Sequence, residues 1–194
     1  MSQLSRPAVF LDRDGTLIKD IGYLRDARDM ALYPWTVDAV RALNQAGLPV
    51  VVITNQSGVA RGLLTEAMLE DVHRHLSSVV EAGLARIDAY YYCPHHPEAT
   101  VAAYRKHCDC RKPGCGLIDR ASADLDLDPA RSFVVGDTWI DVGAARAAGA
   151  RGVLVRTGYG AAEEKRPPPN LEADIVADNL IEAVGWILRN VDRA

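Results

Sequence analysis

No apolar run in this sequence is long enough to cross a bilayer, and Met1 to Pro7 lack the charged and then apolar layout of a secretory signal. No membrane partner is expected, and the cytoplasm is the expected compartment. Positive charge is in deficit, with 22 Lys and Arg against 26 Asp and Glu. That balance weighs against a broad footprint on nucleic acid and makes any anion site a local one. Aromatic residues reach only 6% and form no basic stripe of the kind that stacks single-stranded bases, so no nucleic-acid partner is expected. Cysteine is missing from both ends of the chain: Cys93, Cys108, Cys110 and Cys115 all fall within one central stretch. In a reducing compartment such a cluster points to metal rather than to disulfides. Internal repeats and domain linkers are absent too. The 194 residues suffice for one well-buried core and not for two full-sized domains, so 1–194 is expected to be one domain, and a monomer.

What is present is an alternation of short β-branched runs with longer amphipathic segments, the pattern of βα units around a parallel sheet. Strands are expected at Ala8–Leu11, Leu48–Ile53, Ile87–Tyr92, Ser132–Val135 and Gly152–Val155, with an edge strand at Asp174–Val176. Helices are expected at Val37–Ala46, from Thr65 to about Ala82, and at Leu117–Leu125, Ile140–Ala148 and Leu180–Val191. Thr65 suits an N-cap, with Glu66 favourable in the first turn. Pro167-Pro168-Pro169 reads as an exposed extended loop. His73 and His75 are expected to face solvent.

Asp12-Arg13-Asp14-Gly15-Thr16 directly follows the first strand, so its side chains lie at the strand's carboxyl end, where open α/β sheets assemble ligand sites. Asp and Gly also make ordinary turns, but two adjacent carboxylates can divide the work of phosphoryl transfer. Asp12 would accept the phosphoryl group; Asp14 would protonate the leaving oxygen and then deprotonate water. Arg13 is expected to point away from them. Thr54 and Asn55 end the second strand and can donate to phosphoryl oxygens, and the Lys112 ammonium can balance transition-state charge. The fourth element, Val134 to Asp141, runs a strand into glycine and then acids. Asp137, and Asp141 as a further candidate, can share Mg²⁺ with Asp12.

In this order the four elements resemble the haloacid dehalogenase superfamily of aspartate-nucleophile phosphotransferases. The resemblance implies a single Rossmann-like, three-layer α/β/α domain with a mostly parallel sheet and no large cap domain. It also implies that Mg²⁺ is held by Asp12, Asp137 and the backbone carbonyl of Asp14.

Cys93-Pro94-His95-His96 and Cys108-Asp109-Cys110 place soft and borderline ligands on two limbs of a loop at about 93–110, which suits tetrahedral Zn²⁺. Cys93, His95, Cys108 and Cys110 would form a closed, structural site. Cys115 is the alternative to His95, and His96 and His107 are spare; free core thiols are the competing reading. Tyr92 to Pro97, together with Cys108-Asp109-Cys110-Arg111-Lys112-Pro113, resembles the subgroup of heptose-bisphosphate and histidinol-phosphate phosphatases, although Cys115 stands where that subgroup usually has proline. The implied partner is a small-molecule sugar bisphosphate losing its C7 phosphate, a step toward nucleotide-heptose and lipopolysaccharide; histidinol phosphate is the alternative substrate. A nucleic-acid end phosphatase or zinc-loop binding module is disfavoured by the acidic balance. Arg111, beside Lys112, is expected to contact the distal phosphate or sugar, with Arg61, Arg25 and Arg28 as weaker candidates.

Overall fold

Strands of four or five apolar residues are buried on both faces only when helices cover both sides of a parallel sheet, and Val50 to Ile53 and Phe133 to Val135 are fully buried. The computed structural model describes residues 5–191; both ends of the expected 1–194 span lie outside the described residues. Its six strands are β1 (Val9–Leu11), β2 (Val50–Asn55), β3 (Ala89–Cys93), β4 (Phe133–Gly136), β5 (Arg151–Val155) and β6 (Ile175–Ala177). All pair in parallel in the order β3-β2-β1-β4-β5-β6.

The helices are α1 (Thr36–Gln45), α2 (Ser57–Ala60), α3 (Glu66–Ala82), α4 (Gly116–Leu125), α5 (Trp139–Ala148), α6 (Gly160–Glu163) and α7 (Leu180–Asn190). One sheet face packs on α1, α3 and α7 through residues such as Val40, Leu76 and Val184. The other packs on α4 and α5 through Ile118, Ala121 and Ala144. The result is a single three-layer α/β/α domain. The expected strands and long helices are present with shifts of a residue or two, and the three prolines are exposed. The single turns α2 and α6 were not anticipated, because four residues carry no readable period. Thr65 does cap α3, accepting from the Met68 N–H at 3.2 Å. No helix among the described residues is long and apolar enough to cross a membrane.

One expectation about α3 fails. His75 is exposed, but His73 is buried at 7% exposure, stacked on Tyr90 with ring centroids 4.6 Å apart. It falls next to Val72 on the stripe that also carries Leu69 and Leu76, so its helical position, not its polarity, decides its environment.

The strand order reverses direction between β1 and β4, and in such sheets the crevice at that switch, outside the carboxyl ends, receives ligands. Asp12 follows β1 and Asp137 follows β4. The register sets Leu11 opposite both Val52 and Val135, so β1 and β4 end within a residue of each other while β2 runs on to Asn55 beside them.

Candidate active site and metal centres

The Asp12 N–H donates to the Val135 carbonyl at 2.9 Å, which fixes the residue after β1 against the end of β4. There Asp12, Asp137 and Asp141, all buried, bring carboxylate oxygens within 4.8 Å of one another. Lys112 enters from the loop before α4 with 3% exposure. Its Nζ donates to Asp12 Oδ1 at 2.6 Å, Asp141 Oδ1 at 2.6 Å and the Ile53 carbonyl at 2.8 Å, which uses all three ammonium protons. Burial opposes that charge, but Asp12 and Asp141 outweigh it and hold the lysine above its ordinary range.

One ammonium does not balance three carboxylates. Burial pushes Asp12 up to about 7, against the pull of Lys112 and with a further push from Asp141 and Asp14. Burial, then the Asp12 charge, pushes Asp137 up to about 8. Buried carboxylates held off their ionised form are what a hard divalent cation relieves, and an all-oxygen donor set suits one. The backbone has cleared space for this carboxylate: Gly15 and Gly158 both have positive φ, and a Cβ on either would collide with the Asp137 carboxylate. Asp137 Oδ2 also accepts from the Tyr159 N–H at 2.8 Å. Asp141 is more fully occupied. Its Oδ1 takes Lys112 and its Oδ2 takes the Thr138 N–H and hydroxyl, closing the capping box of α5.

Thr54 Oγ1 accepts from Gln56 Nε2 at 2.8 Å, so its own proton can donate into the pocket that Thr54 lines. The Asn55 side chain, which also lines this pocket, keeps one Nδ2 proton available and uses its other groups on the backbone. Its Oδ1 accepts from the Lys112 N–H at 3.0 Å and its Nδ2 donates to the Lys112 carbonyl at 3.1 Å, clamping the peptide that carries the ammonium. The pocket itself is small, about 120 Å³, and Asp14, Asp20 and Tyr159 also line it. A larger concavity of about 440 Å³ lies along β3. Its carboxylate, Glu66, is already taken up by the hydroxyls of Tyr92 and Tyr104.

The loop leaving β3 gathers Cys93, His95, Cys108 and Cys110, with ligand atoms within 4.8 Å of one another. Five of the six pairwise separations run from 3.1 Å (Cys93 to Cys110) to 3.7 Å (Cys93 to His95 Nδ1), and the sixth, His95 to Cys108, is within 4.8 Å. Four ligands at roughly 2.0–2.3 Å from a tetrahedral zinc would stand about 3.5–3.8 Å apart, so the cluster fits with slight expansion. All four cysteines are free thiols. Cys115 stays outside the cluster, at the start of α4, against Asp119 Oδ2 at 3.2 Å; His95 takes the fourth place. Arg111 Nη1 donates to the His95 carbonyl at 3.3 Å, which ties this arginine to the cluster rather than into the small pocket.

The HAD-hydrolase-like family matches residues 109–183. Over 96% of the chain the sequence is 40% identical to a D-glycero-beta-D-manno-heptose-1,7-bisphosphate 7-phosphatase of Escherichia coli (strain K12), covering 91% of that protein. It is 39% identical to the enzyme of the same name from Salmonella typhi, over 96% of this chain and 92% of the other. The chain belongs to the HAD-like phosphatases. Among solved structures, the D,D-heptose 1,7-bisphosphate phosphatase of B. bronchiseptica, complexed with magnesium and phosphate, superposes with a TM-score of 0.85 at 31% identity, over 95% of this chain and 99% of that one.

For a HAD-like phosphatase, four residues at the site have placements that the sequence does not reveal. Gln56 is buried and bridges Thr54 to Asp14, reaching Asp14 Oδ2 at 2.9 Å. Tyr159 and Gly158 lie far along the chain, after β5, where no charge marks them. Arg13, expected to point away from the acids, chelates the Asp14 carboxylate instead.

Two outcomes follow from this geometry. Without a cation, native Asp12 and Asp137 keep protons up to about pH 7 and 8 that the unfolded chain releases near its ordinary 3.8. The metal-free protein therefore loses stability as pH rises through that window, while a cation competes better with fewer protons. Thermal scans should show a Mg²⁺-induced rise in Tm that is small at pH 5.5 and larger at pH 8.5; an equal rise at both would contradict the electrostatics. Metal analysis should find one zinc per chain, and its chelation should raise amide exchange across 94–110 while leaving the sheet amides protected. Unchanged exchange in verified zinc-free protein would show that the loop holds itself.

Proposed function

We propose that this chain hydrolyses the C7 phosphate of D-glycero-D-manno-heptose 1,7-bisphosphate through an aspartyl-phosphate on Asp12. The observation that carries the substrate assignment is identity of about 40% across 96% of the chain with enzymes of that name. The buried Lys112 bond to Asp12 supports the chemistry. Histidinol phosphate, the alternative substrate, has no comparable support among these relatives. Four reduced thiols suit a cytoplasmic enzyme.

Asp12 Oδ attacks phosphorus in line with the C7 oxygen, forming an acyl phosphate as the P–O bond to that oxygen breaks. Asp14 gives its proton to the departing C7 oxygen. It then takes a proton from the water that attacks phosphorus, which releases inorganic phosphate and restores the Asp12 carboxylate. Asp12, Asp137 and the Asp14 backbone carbonyl hold magnesium, which supplies charge neutralisation at the phosphoryl oxygens. The Thr54 hydroxyl and the Lys112 ammonium receive the charge that develops on those oxygens, and Asn55 keeps Lys112 in place for it. Asp141 completes the support by holding the lysine from the other side. Cys93, His95, Cys108 and Cys110 bind a structural zinc that shapes the loop bearing Arg111, whose planar guanidinium suits the distal phosphate or the sugar hydroxyls.

Steady-state comparison of heptose 1,7-bisphosphate, histidinol phosphate and fructose 1,6-bisphosphate tests the assignment. The heptose should have the highest kcat/KM, and a preference for histidinol phosphate would replace the substrate without touching the chemistry. Asp12→Asn should lower kcat by roughly 10³-fold or more with an unchanged circular-dichroism spectrum. Substantial residual turnover would require a different nucleophile.

A further inference from the structure

Arg13 has the bulkiest fully buried side chain among the described residues, and it sits between the two aspartates of the nucleophile loop. A guanidinium cannot shed its proton, so its burial demands partners for its donors. It finds them in two directions. Toward the pocket, Nε donates to Asp14 Oδ2 at 3.1 Å, and Nη2 to Asp14 Oδ1 at 3.1 Å and Oδ2 at 2.8 Å. Toward the core, Nη1 meets His73 Nε2 at 3.4 Å. Arginine only donates, so Nε2 is the acceptor and the ring proton lies on Nδ1. Burial, then the Arg13 charge, pushes the His73 ring down to about 3, which keeps it neutral and able to accept.

His73 is itself immobilised. It stacks on Tyr90 with 17° between ring planes, and the Tyr90 hydroxyl pairs with Ser77 Oγ at 2.9 Å. Ser77 and His73 are one turn apart on α3. A rigid path thus runs from α3 and the edge strand β3 to the carboxylate of Asp14. Gln56 steadies the same carboxylate from β2's side, but His73 is the element remote from any substrate.

We propose that Arg13, braced by His73, is a positioning residue that sets the Asp14 carboxylate where it exchanges protons with the leaving oxygen. This rests on the reading of Asp14 as the acid and base. A side chain that merely filled space would leave the rate of proton transfer alone. One that aims Asp14 matters most when the leaving group needs a proton. An alkoxide needs it; a nitrophenolate does not.

The test is kcat/KM, which reports phosphoryl transfer to Asp12 ahead of its hydrolysis, for the magnesium-loaded full chain. It is measured on the best alkyl phosphate substrate and on p-nitrophenyl phosphate. Asp14→Asn sets the benchmark and should lose far more on the alkyl ester. His73→Leu, which removes the acceptor, should lose roughly tenfold more on the alkyl ester than on the aryl ester. His73→Gln, which keeps an acceptor, should recover most of that difference. Arg13→Lys, which preserves charge but not the fork, should repeat the loss and serves if His73→Leu fails to fold. Equal losses on both esters, or no rescue by glutamine, would overturn the positioning role of Arg13 and His73 while leaving Asp14 intact. Absence of the leaving-group effect in Asp14→Asn would instead remove the acid role on which the inference stands.

Discussion

The catalytic edge depends on one buried ammonium. Lys112 Nζ holds Asp12 from the loop after β1, the Ile53 carbonyl of β2 and Asp141 from α5, so three segments distant in sequence share a single point. Burying a charge is costly unless every proton is satisfied, and truncating one partner would strand the others. Such a knot adds little net stability; what it fixes is geometry. It also leaves the balance incomplete. With Asp137 beside them, the carboxylates outnumber the cation, and burial drives protons onto Asp12 and Asp137. The fold therefore leaves a charge imbalance that a cation would relieve, and a cation there would favour the ionised form of Asp12.

Where Lys112 sits is settled from two sides. Asn55 clamps its peptide from β2, and Cys110, two residues earlier, belongs to the thiol cluster. The loop between them and β3 has little apolar surface of its own; one short 3-10 turn, Ala102–Tyr104, is its regular structure among the described residues. Its other tie is Glu66 in the first turn of α3, which takes the Tyr104 and Tyr92 hydroxyls on separate oxygens. Those two bonds hold the carboxyl below its usual range. The gathered thiols, with whatever metal they hold, and the tyrosine clasp would do for this loop what a hydrophobic core does for the sheet.

The strands and long helices were legible because their burial follows a period: unbroken apolar runs for β2 and β4, and a stripe every third or fourth residue for α3. The acids at strand ends were legible because several polar motifs, each compatible with an ordinary turn, stand in one order along the chain. What stayed hidden depends on tertiary contact. His73 looks like any helix-surface histidine until β3 is laid against it. Arg13 looks like a spacer, since alternation on an extended chain turns it away, but the chain curls here: its own carbonyl accepts from Leu17 and Ile18 N–H groups, which brings the side chain back beneath Asp14. Asn55 also clamps the Lys112 peptide, a backbone that no local pattern could place beside it. Gly158, after β5, makes room for the Asp137 carboxylate at the end of the neighbouring strand β4, a relation that only the fold supplies.

The pocket's size then divides the labour of recognition. A cavity of about 120 Å³ has room for a group the size of a phosphoryl and little more. Charge inside the pocket is committed to chemistry, since Lys112 has no proton left and Asp141 has both oxygens taken. Selectivity among phosphate esters then falls to the rim, where Tyr159 and Asp20 stand at once on the pocket wall and on a neighbouring concavity bearing Lys19 and Tyr33. A rim built from loops can be rebuilt without disturbing the Lys112 knot, so in this architecture a change of substrate costs the enzyme little of its catalytic geometry.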